Sequence, residues 1–385
     1  MANTLGNYSP LFYAQEALVL LRKNLGLAAR VYRGYDRERR TFERGEVMTI
    51  RKPSTFQAYD APSTEQDITP GNIEIRLDQW KEVKMALSDK ERAFTGQQII
   101  DEHIAPMAYA LAEGVDSSLA QLYRDIPYVY DYGSATDHTI ITGARKVLVD
   151  NYVPLNDGRL HAMLDSTLET YFLNASTVLV GTAPNATENA LLRGSLGRRY
   201  DVELFVNQNT QTYTPGTASQ AAGDKAGAIN MAAGLAQGAT SVTVDAFTGS
   251  ETLKAGDHFV IAGHTQRYAV SADLTLSSGA GTVSFWPPAV QTYADNAVIT
   301  VGTAANDAAH SVNVMFHENA FALVIAQLPT DMPGIDSSVA TDPVTGLSVR
   351  ARRFADGHNS KMLMALDILY GVKTLDPNLA VRMET

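Results

Sequence analysis

The sequence predicts an α+β protein in which extended elements precede a mixed domain that carries a β-rich insertion. Three observations indicate this fold class: an amphipathic helix near the start, a long one-sided helical stripe around residue 110, and regularly spaced short strands between residues 208 and 301. The chain has 385 residues, of which 45% are hydrophobic and 19% are charged. It is therefore long and apolar enough to bury a substantial core.

The first predicted element is a helix that begins at Ser9-Pro10, because serine can cap a helix and proline suits its first turn. The apolar residues that follow share one helical stripe: Tyr13, Ala17, Leu21 and Leu25. Between residues 46 and 87 the apolar period changes to two and proline or glycine turns appear. This stretch predicts a long β-hairpin or loop, with too few apolar residues for a core of its own.

The strongest helical signal comes next. Eight apolar residues follow one another at separations of three or four: Ile100, Ile104, Met107, Leu111, Val115, Leu119, Leu122 and Ile126. A helix of about 30 residues at about 1.5 Å each is roughly 45 Å long, which suggests a spine across an extended subunit. Pro106 is expected to kink or divide it.

Residues 137–207 predict alternating helices and strands. The order is a helix near His138–Asn151, a buried strand near Arg159–Leu164, a helix around Ser166–Asn174, and strands at TVLVG (177–181) and DVELFV (201–206). At Gln208 the composition shifts toward Ala, Gly, Thr and Ser, and five short β-runs follow before Val301. Such a block predicts a small barrel or sandwich inserted into the surrounding domain.

After the insertion, residues 313–329 predict a strand followed by a helix. We expect burial in this segment for four side chains: Phe316, Phe321, Val324 and Leu328. Residues 347–383 contain further strand-like runs that end in a tail around Pro377.

No motif for chemistry is complete. His317-Glu318 begins a zinc-protease signature, but Phe321 occupies the place of the second histidine, so no metal site is predicted. His258 and His264 are interpreted as surface or turn histidines. The absence of cysteine excludes disulfides, thiolate metal sites and cysteine nucleophiles. No catalytic, cofactor-binding or metal-binding residue is predicted.

The charge distribution is uneven. The net charge of −11 argues against a dedicated nucleic-acid binder, yet residues 22–52 hold ten basic and four acidic residues. We interpret this basic segment as a solvated face that pairs with acidic surface, with contact to a polyanion as the alternative. The N-terminus does not read as a secretory signal, and no apolar run reaches membrane-spanning length, so a soluble intracellular protein is expected.

Four stretches resemble a known family. They are MANTL at the start, LKAGDHFVIAG at 253–263, the segment 313–329, and RRFADGHNSKMLMALDILYGVKTLDPNLAVRM at 352–383. Together with the order of elements, they resemble the major capsid (coat) proteins of tailed bacteriophages with the Hong Kong 97-type fold. The likeness points to the P-twenty-two-type branch, in which a domain is inserted into the axial region, and it covers essentially the whole chain.

The resemblance implies an α+β capsid fold with an inserted small β-barrel domain. It divides the chain into an N-terminal arm (1–45), an extended β-loop (46–90), a spine helix and peripheral domain (91–136), a first axial part (137–207), the inserted β-domain (208–301), a second axial part (302–345) and a C-terminal return to the peripheral domain (346–385). The boundaries of the insert are then Gln208 and Val301.

The function implied by the resemblance is self-assembly, through hexamers and pentamers, into an icosahedral procapsid and then a mature head around double-stranded DNA. The expected partners are other copies of the chain, a scaffolding protein, a portal, packaged DNA bound non-specifically and a possible decoration protein. Location in the virion capsid, assembly in the host cytoplasm, and no enzymatic activity, cofactor or membrane are also implied. Contacts between subunits or with the interior are predicted for Arg37, Arg39, Arg40 and Arg44.

Three alternatives remain open. A cellular nanocompartment shell of the same fold would lack the insertion at 208–301 and would carry a cargo-binding groove. A secreted adhesin or carbohydrate-binding protein would need a signal segment and aromatic platforms, for which Trp286 alone is weak support. A hydrolase would need a convergent site that the sequence does not reveal.

Overall fold

The structure is a computed structural model, and it describes residues 10–33, 47–52, 71–88, 98–155, 157–175, 196–220, 225–302, 309–331, 334–341, 347–358 and 361–384. The chain divides into two compact units. Unit 1 comprises Met1–Leu119 and Phe321–Leu375, and unit 2 comprises Ala120–Ala320 and Asp376–Thr385. The chain therefore passes from one unit to the other three times.

Four α-helices lie in the described ranges: α1 (Pro10–Asn24), α2 (Gln98–Ala120), α3 (Thr139–Asp150) and α4 (Ser166–Asn174). The strands of the first half are β1 (Val47–Lys52), β2 (Gly71–Arg76), β3 (Gln79–Ser88), β4 (Val129–Asp131), β5 (Leu160–Leu164), β6 (Arg198–Arg199), β7 (Val202–Val206), β8 (Thr212–Tyr213), β9 (Ala226–Ile229), β10 (Ser241–Asp245) and β11 (Thr252–Leu253). Those of the second half are β12 (His258–Ile261), β13 (Arg267–Val270), β14 (Leu274–Thr275), β15 (Gly281–Trp286), β16 (Val298–Val301), β17 (His310–Ser311), β18 (Asn313–His317), β19 (Phe321–Ala326), β20 (Asp336–Thr341), β21 (Ser348–Asp356), β22 (Lys361–Thr374) and β23 (Ala380–Glu384).

Unit 1 is built on the 14-residue strand β22. Strand β3 pairs with β22 from Tyr370 to Lys361, while β21 and then β19 pair with it antiparallel, and β20 follows β21. Helix α1 packs against β20 and β21. Strands β1 and β2 form a separate antiparallel pair in the predicted extended loop.

One buried carboxylate fixes the turn that follows α1. Asp116 on α2 is 2% exposed and accepts backbone N–H groups from Gly26 at 2.7 Å, Leu27 at 3.2 Å and Ala28 at 2.9 Å. A carboxylate with several N–H donors meets its need for hydrogen bonds without water. The turn after α1 is thus attached to the C-terminal part of α2.

The main sheet of unit 2 has six strands in the order β4-β23-β18-β5-β7-β6. Helices α3 and α4 cover it and bury a continuous apolar cluster with its strands. Tyr130 on β4 crosses α3 at Gly143, where a Cβ atom would lie 2.0 Å from the tyrosine ring, so this crossing requires glycine.

The second element of unit 2 is a closed barrel of six strands in the order β10-β15-β13-β12-β16-β9. Its interior holds three aromatic rings in mutual contact, because the Tyr268 and Phe285 centroids are 5.1 Å apart and Phe259 lies 5.5 Å from each. Closure leaves no sheet edge, and the interior is filled by a cluster of buried apolar side chains.

Most predicted elements are confirmed. The first helix, the two helices at 139–150 and 166–174, the five predicted β-runs of the insert, and the strands at 348–356 and 361–374 are all present. The insert is a closed barrel and not a sandwich, and it contains a sixth strand, β9, that the sequence did not predict. The predicted strand at 177–181 lies outside the described residues. None of the helices in the described ranges is long and apolar enough to cross a membrane.

Three predictions about elements are wrong. The helix expected over Phe321–Ile325 is the strand β19, whose six residues are all buried, so an uninterrupted apolar run was misread. The spine helix is shorter than expected: α2 has 23 residues, continues through Pro106, and gives way to a 3-10 turn at Gln121–Asp125. The expected tail around Pro377 is a 3-10 turn followed by the buried strand β23.

The burial expected for 313–329 holds at Phe316, Phe321 and Val324, while Leu328 is only half-buried. The segment predicted as one C-terminal return, 346–385, is divided, because residues 376–385 belong to unit 2. The segment 302–345 is likewise divided after Ala320, and 91–136 after Leu119. The assignment of the seven segments to the named domains of a capsid subunit stays a prediction.

Candidate functional site at the base of the barrel

A buried ionic cluster lies where the barrel meets the six-stranded sheet within unit 2. We call it the barrel junction and define it by six side chains: Tyr213, Asp257, His258, His310, Arg382 and Glu384. They come from β8, the turn before β12, β12 itself, β17 and β23. Each is at least nine-tenths buried, and Arg382 and Asp257 have no exposed surface. Four separate chain segments therefore converge on one site.

Arg382 is the centre of the barrel junction. Its Nε lies 3.3 Å from Glu384 Oε1, its Nη2 lies 3.3 Å from His258 Nδ1, and its guanidinium carbon lies 5.3 Å from the Tyr213 ring centroid. Because arginine has only donors, Nδ1 of His258 must accept this hydrogen bond, which places the proton of the neutral ring on Nε2. A carboxylate, an imidazole and an aromatic face thus surround one buried cation.

The charges in the barrel junction set the protonation of its members. Burial, and after it the adjacent Arg382 cation, lowers the pKa of His258 to about 3. Burial alone would raise the pKa of Glu384, but Arg382 and His310, whose Nε2 lies 3.4 Å from Glu384 Oε2, lower it overall. The junction therefore holds a neutral His258 beside an ion pair.

Asp257 forms the second half of the barrel junction. Its carboxylate accepts the Lys254 N–H at 2.7 Å, the Gly216 N–H at 3.3 Å and the hydroxyl of Tyr213. Burial raises the pKa of Asp257 and of Tyr213. At Gly216 a Cβ atom would lie 2.4 Å from the carbonyl oxygen of Thr252, so glycine is required for the backbone to approach Asp257.

These contacts give the junction a mechanical role. The polar side chains of the junction contact one another and the backbone of Gly216 and Lys254. Removal of one partner would leave a buried charge uncompensated, which costs about 3–5 kcal/mol. The arrangement fixes the barrel to the sheet.

The sequence analysis missed this cluster. His258 was interpreted as a surface or turn histidine, and it is buried, whereas His264 is exposed as expected. Arg382 and Glu384 lie in a stretch that was read as a tail because charged residues are rarely buried. The available signal was alternation in AVRME, but its partners lie more than 100 residues away in sequence.

The interrupted zinc signature has a different role. His317 is 2% exposed, its Nε2 lies 2.8 Å from Asp157 Oδ2, and its Nδ1 accepts the Asn319 N–H at 3.2 Å. Both ring nitrogens are thus engaged by protein groups. In the parts of the chain that the structure describes, no group of three or more His, Asp or Glu side chains is placed to hold a metal ion.

The other predicted site residues are placed as follows. Arg37, Arg39, Arg40 and Arg44 lie outside the described residues. Gln208 lies in the turn after β7, and Val301 is the last residue of β16, the final barrel strand. The Val301 N–H donates to the Lys225 carbonyl at 2.8 Å, so the two ends of the barrel lie side by side.

Solved structures from bacteriophages are similar to this chain. A structure from Mycobacterium phage Che8 aligns with a TM-score of 0.51 and 14% identity, covering 93% of this chain and 90% of that one. The mature capsid of bacteriophage PhiM1 aligns with a TM-score of 0.42 and 11% identity, covering 88% and 81% of the two chains. The capsid of Ralstonia phage GP4 aligns with a TM-score of 0.44 and 10% identity, covering 89% and 84%.

The chain has the Hong Kong 97-type capsid fold. No protein-family model and no curated protein matches the sequence. At these identities the likeness establishes the fold alone. Strand β3 pairs with β22 in unit 1, and the closed barrel lies in unit 2. Assignment to the P-twenty-two-type branch stays a prediction.

Proposed function

We propose that this chain is the major capsid protein of a tailed bacteriophage, and that its copies assemble into an icosahedral shell around double-stranded DNA. The observation that carries the proposal is the extent of the structural match: 93% of this chain and 90% of the Che8 chain align, so the likeness includes the whole architecture rather than one domain.

Exposed apolar side chains give physical support. Several large hydrophobic residues in the described ranges are more than two-fifths exposed: Leu11, Val19, Trp80, Tyr109, Val149, Tyr152, Tyr200 and Val298. Scattered apolar residues are common on monomers, but aromatic and aliphatic groups of this size are also those that protein interfaces use. A chain that functions only in a shell would cover many of them with neighbouring copies.

The proposal extends to partners and location. Assembly proceeds through pentamers and hexamers, with a scaffolding protein and a portal, and a decoration protein as a possible addition. The packaged DNA is bound non-specifically, and the net charge of −11 keeps that binding weak. Assembly takes place in the host cytoplasm, the product is the virion capsid, and the chain acts without catalysis.

The test is expression of the full chain, alone and together with the genes that neighbour it, followed by negative-stain microscopy and sedimentation. Closed shells of uniform diameter are the expected result. Only small monomers under every condition would contradict the proposal. Shells that enclose a specific cargo enzyme and never associate with a portal would favour the nanocompartment alternative.

The arginines of the basic segment provide a further test of the proposal. Replacement of Arg37, Arg39, Arg40 and Arg44 by alanine should leave the thermal midpoint of the subunit unchanged and reduce the yield of shells or of packaged DNA. The control removes the same charge elsewhere, by alanine at Lys81, Lys84, Lys254 and Lys361. Equal effects of the two sets would show that only net charge matters.

A further inference from the structure

Two exposed tyrosines of unit 2 occupy backbone positions that disfavour them. Tyr152 is 94% exposed with φ of 57°, and Tyr200 is 52% exposed with φ of 50°. A positive φ brings the Cβ atom of an L-residue close to its own backbone, so glycine or asparagine is favoured there. The Tyr200 ring makes an edge contact with the His138 ring, with centroids 6.4 Å apart, yet half of the Tyr200 surface stays exposed, and Tyr152 is almost fully exposed.

The position of Tyr152 is the end of helix α3. The Tyr152 N–H donates to the Val149 carbonyl at 2.9 Å, and the Val153 N–H donates to the Leu148 carbonyl at 3.1 Å. These two bonds define a Schellman motif, and the buried pair Val153 and Leu148 supplies its usual apolar contact. Tyr152 occupies the site in this motif where glycine is most common.

The position of Tyr200 is the loop of a tight hairpin. Strands β6 and β7 pair antiparallel with Arg199 opposite Val202, so Tyr200 and Asp201 form a two-residue loop. Both have positive φ, at 50° and 64°, which is the pattern of a type I′ turn. Asn-Gly is the preferred sequence for this turn, and Tyr-Asp replaces it here.

Helix α3 connects the two tyrosines. Arg145 on α3 donates a hydrogen bond from Nη1 to the carbonyl oxygen of Tyr200. Arg145 and Val149 are four residues apart and lie on one side of the helix, and Val149 is 46% exposed. Tyr152 follows at the helix end, where its N–H donates to the Val149 carbonyl. We call the surface formed by Arg145, Val149, Tyr152 and Tyr200 the tyrosine face.

We propose that the tyrosine face is an interface that docks against a second copy of this chain. The inference rests on the proposed shell function and names a surface that this function would use. Residues that oppose the preferences of their own backbone are retained where another role compensates for the lost stability. Rigid aromatic side chains together with arginine are the groups that contribute most to protein interfaces.

Charge favours a protein partner over nucleic acid. The charged residues of 137–150 and 198–203 number four basic (Arg145, Lys146, Arg198, Arg199) and four acidic (Asp137, Asp150, Asp201, Glu203). A balanced rim creates no field that would attract a polyanion, because nucleic-acid sites carry a clear basic excess. A rim with both signs can instead pair with the same mixture of charges on another copy.

The exposed area of the two tyrosines favours contact with a second copy within a multi-subunit ring over an isolated dimer. A tyrosine can bury about 200 Å², so the exposed fractions of Tyr152 and Tyr200 provide roughly 300 Å². A stable pairwise interface needs about 800 Å² from each partner. The tyrosine face is therefore the core of a contact that is weak between two chains and is stabilised when several chains close a ring.

The test uses the double variant Tyr152→Asn and Tyr200→Asn, because asparagine tolerates positive φ. The thermal midpoint of the dissociated subunit should stay the same or rise, while the protein concentration needed for shell formation, measured by light scattering and microscopy, should rise at least tenfold. The matched control, Tyr152→Phe with Tyr200→Phe, keeps the rings and should assemble at the wild-type concentration.

A direct measurement of burial is also available because the chain has no cysteine. With Tyr152→Cys as the single thiol, labelling by a maleimide should be at least tenfold slower in shells than in dissociated subunits. The chain's shells must first be seen in the wild type, so their absence would count against the proposed function and not against this interface alone.

Three outcomes would overturn the inference while leaving the shell function intact. They are assembly of the asparagine variant at the wild-type concentration, labelling at position 152 that is equally fast in shells and subunits, and a thermal midpoint lowered by several degrees in the asparagine variant. Loss of binding to a double-stranded DNA probe with unchanged assembly would instead assign the face to nucleic acid.

Discussion

At the residue scale, Asp116 and His258 show how a single buried polar group can define the path of the backbone. Asp116 accepts three N–H groups from the turn after α1, and His258 accepts from Arg382 at the base of the barrel. Neither could be assigned from sequence, because the groups they contact lie about 90 and more than 100 residues away.

Replacement of Asp116 by alanine should lower the free energy of unfolding by about 3 kcal/mol, since hydrogen bonds to a charged group contribute about 1.5–3 kcal/mol and buried donors would lose their acceptor. Asparagine keeps one acceptor oxygen and should cost less. Urea denaturation measures both. Glu113→Ala, an exposed change one turn away on α2, should stay within about 0.5 kcal/mol of wild type. Equal losses for Asp116 and Glu113 would contradict the anchoring role.

His258 should make stability sensitive to mild acid. Its folded pKa is lowered to about 3 from 6.5, so between these values the unfolded chain binds a proton that the folded chain does not, and stability falls as the pH falls. For one such group the loss from pH 7 to pH 5 is about 2 kcal/mol. The test measures the free energy of unfolding of the wild type and of His258→Gln at pH 7 and at pH 5. The loss between the two pH values should be smaller in the variant by this amount.

The control for this acid effect is His264→Gln, because His264 is exposed and the same change in chemistry is made outside the barrel junction. Its dependence on pH should equal that of the wild type. A His258→Gln variant with the full wild-type dependence would show that another group is responsible.

At the element scale, strands and helices were predicted best where periodicity and turns agreed. The insert strands were found because Gly and Asp turns bounded each alternating run. FALVIA at 321–326 has no such alternation, since all six residues are buried, and an apolar run of this length fits either a helix or a strand. The strand AVRME at 380–384 was not predicted for the opposite reason: it contains charged side chains, which are buried with partners distant in the sequence.

Strand β22 offers a test of close packing in unit 1. A Cβ atom at Gly371 would lie 2.2 Å from the carbonyl oxygen of Arg76, a backbone atom that cannot move away cheaply. Gly371→Ala should therefore lower the free energy of unfolding by about 1–3 kcal/mol, as measured by chemical denaturation. Gly357→Ala is the control, because a Cβ atom there meets nothing within 4 Å. A neutral Gly371→Ala would show that β2 and β22 are not in close contact.

At the scale of the whole molecule, the insert can be separated from the rest of the chain. Its ends lie together at Lys225 and Val301, and all four α-helices lie outside it. Deletion of 226–300 should therefore leave the helical signal in circular dichroism unchanged. It should also reduce the yield of folded protein or the uniformity of shells, since Arg382 and Glu384 lose the partners that cover them. A deletion variant with wild-type yield and uniform shells would contradict a structural role for the barrel.

The order of strands in the main sheet has a consequence for synthesis. Strand β23, at residues 380–384, lies between β4 and β18, so the sheet remains in two parts until residue 384 has left the ribosome. Chains synthesised from the N-terminus fold as their elements emerge, but this sheet cannot close early. A polypeptide that ends before residue 380 therefore lacks β23, which joins the two parts of the sheet. It also lacks Arg382, which contacts His258 in the barrel.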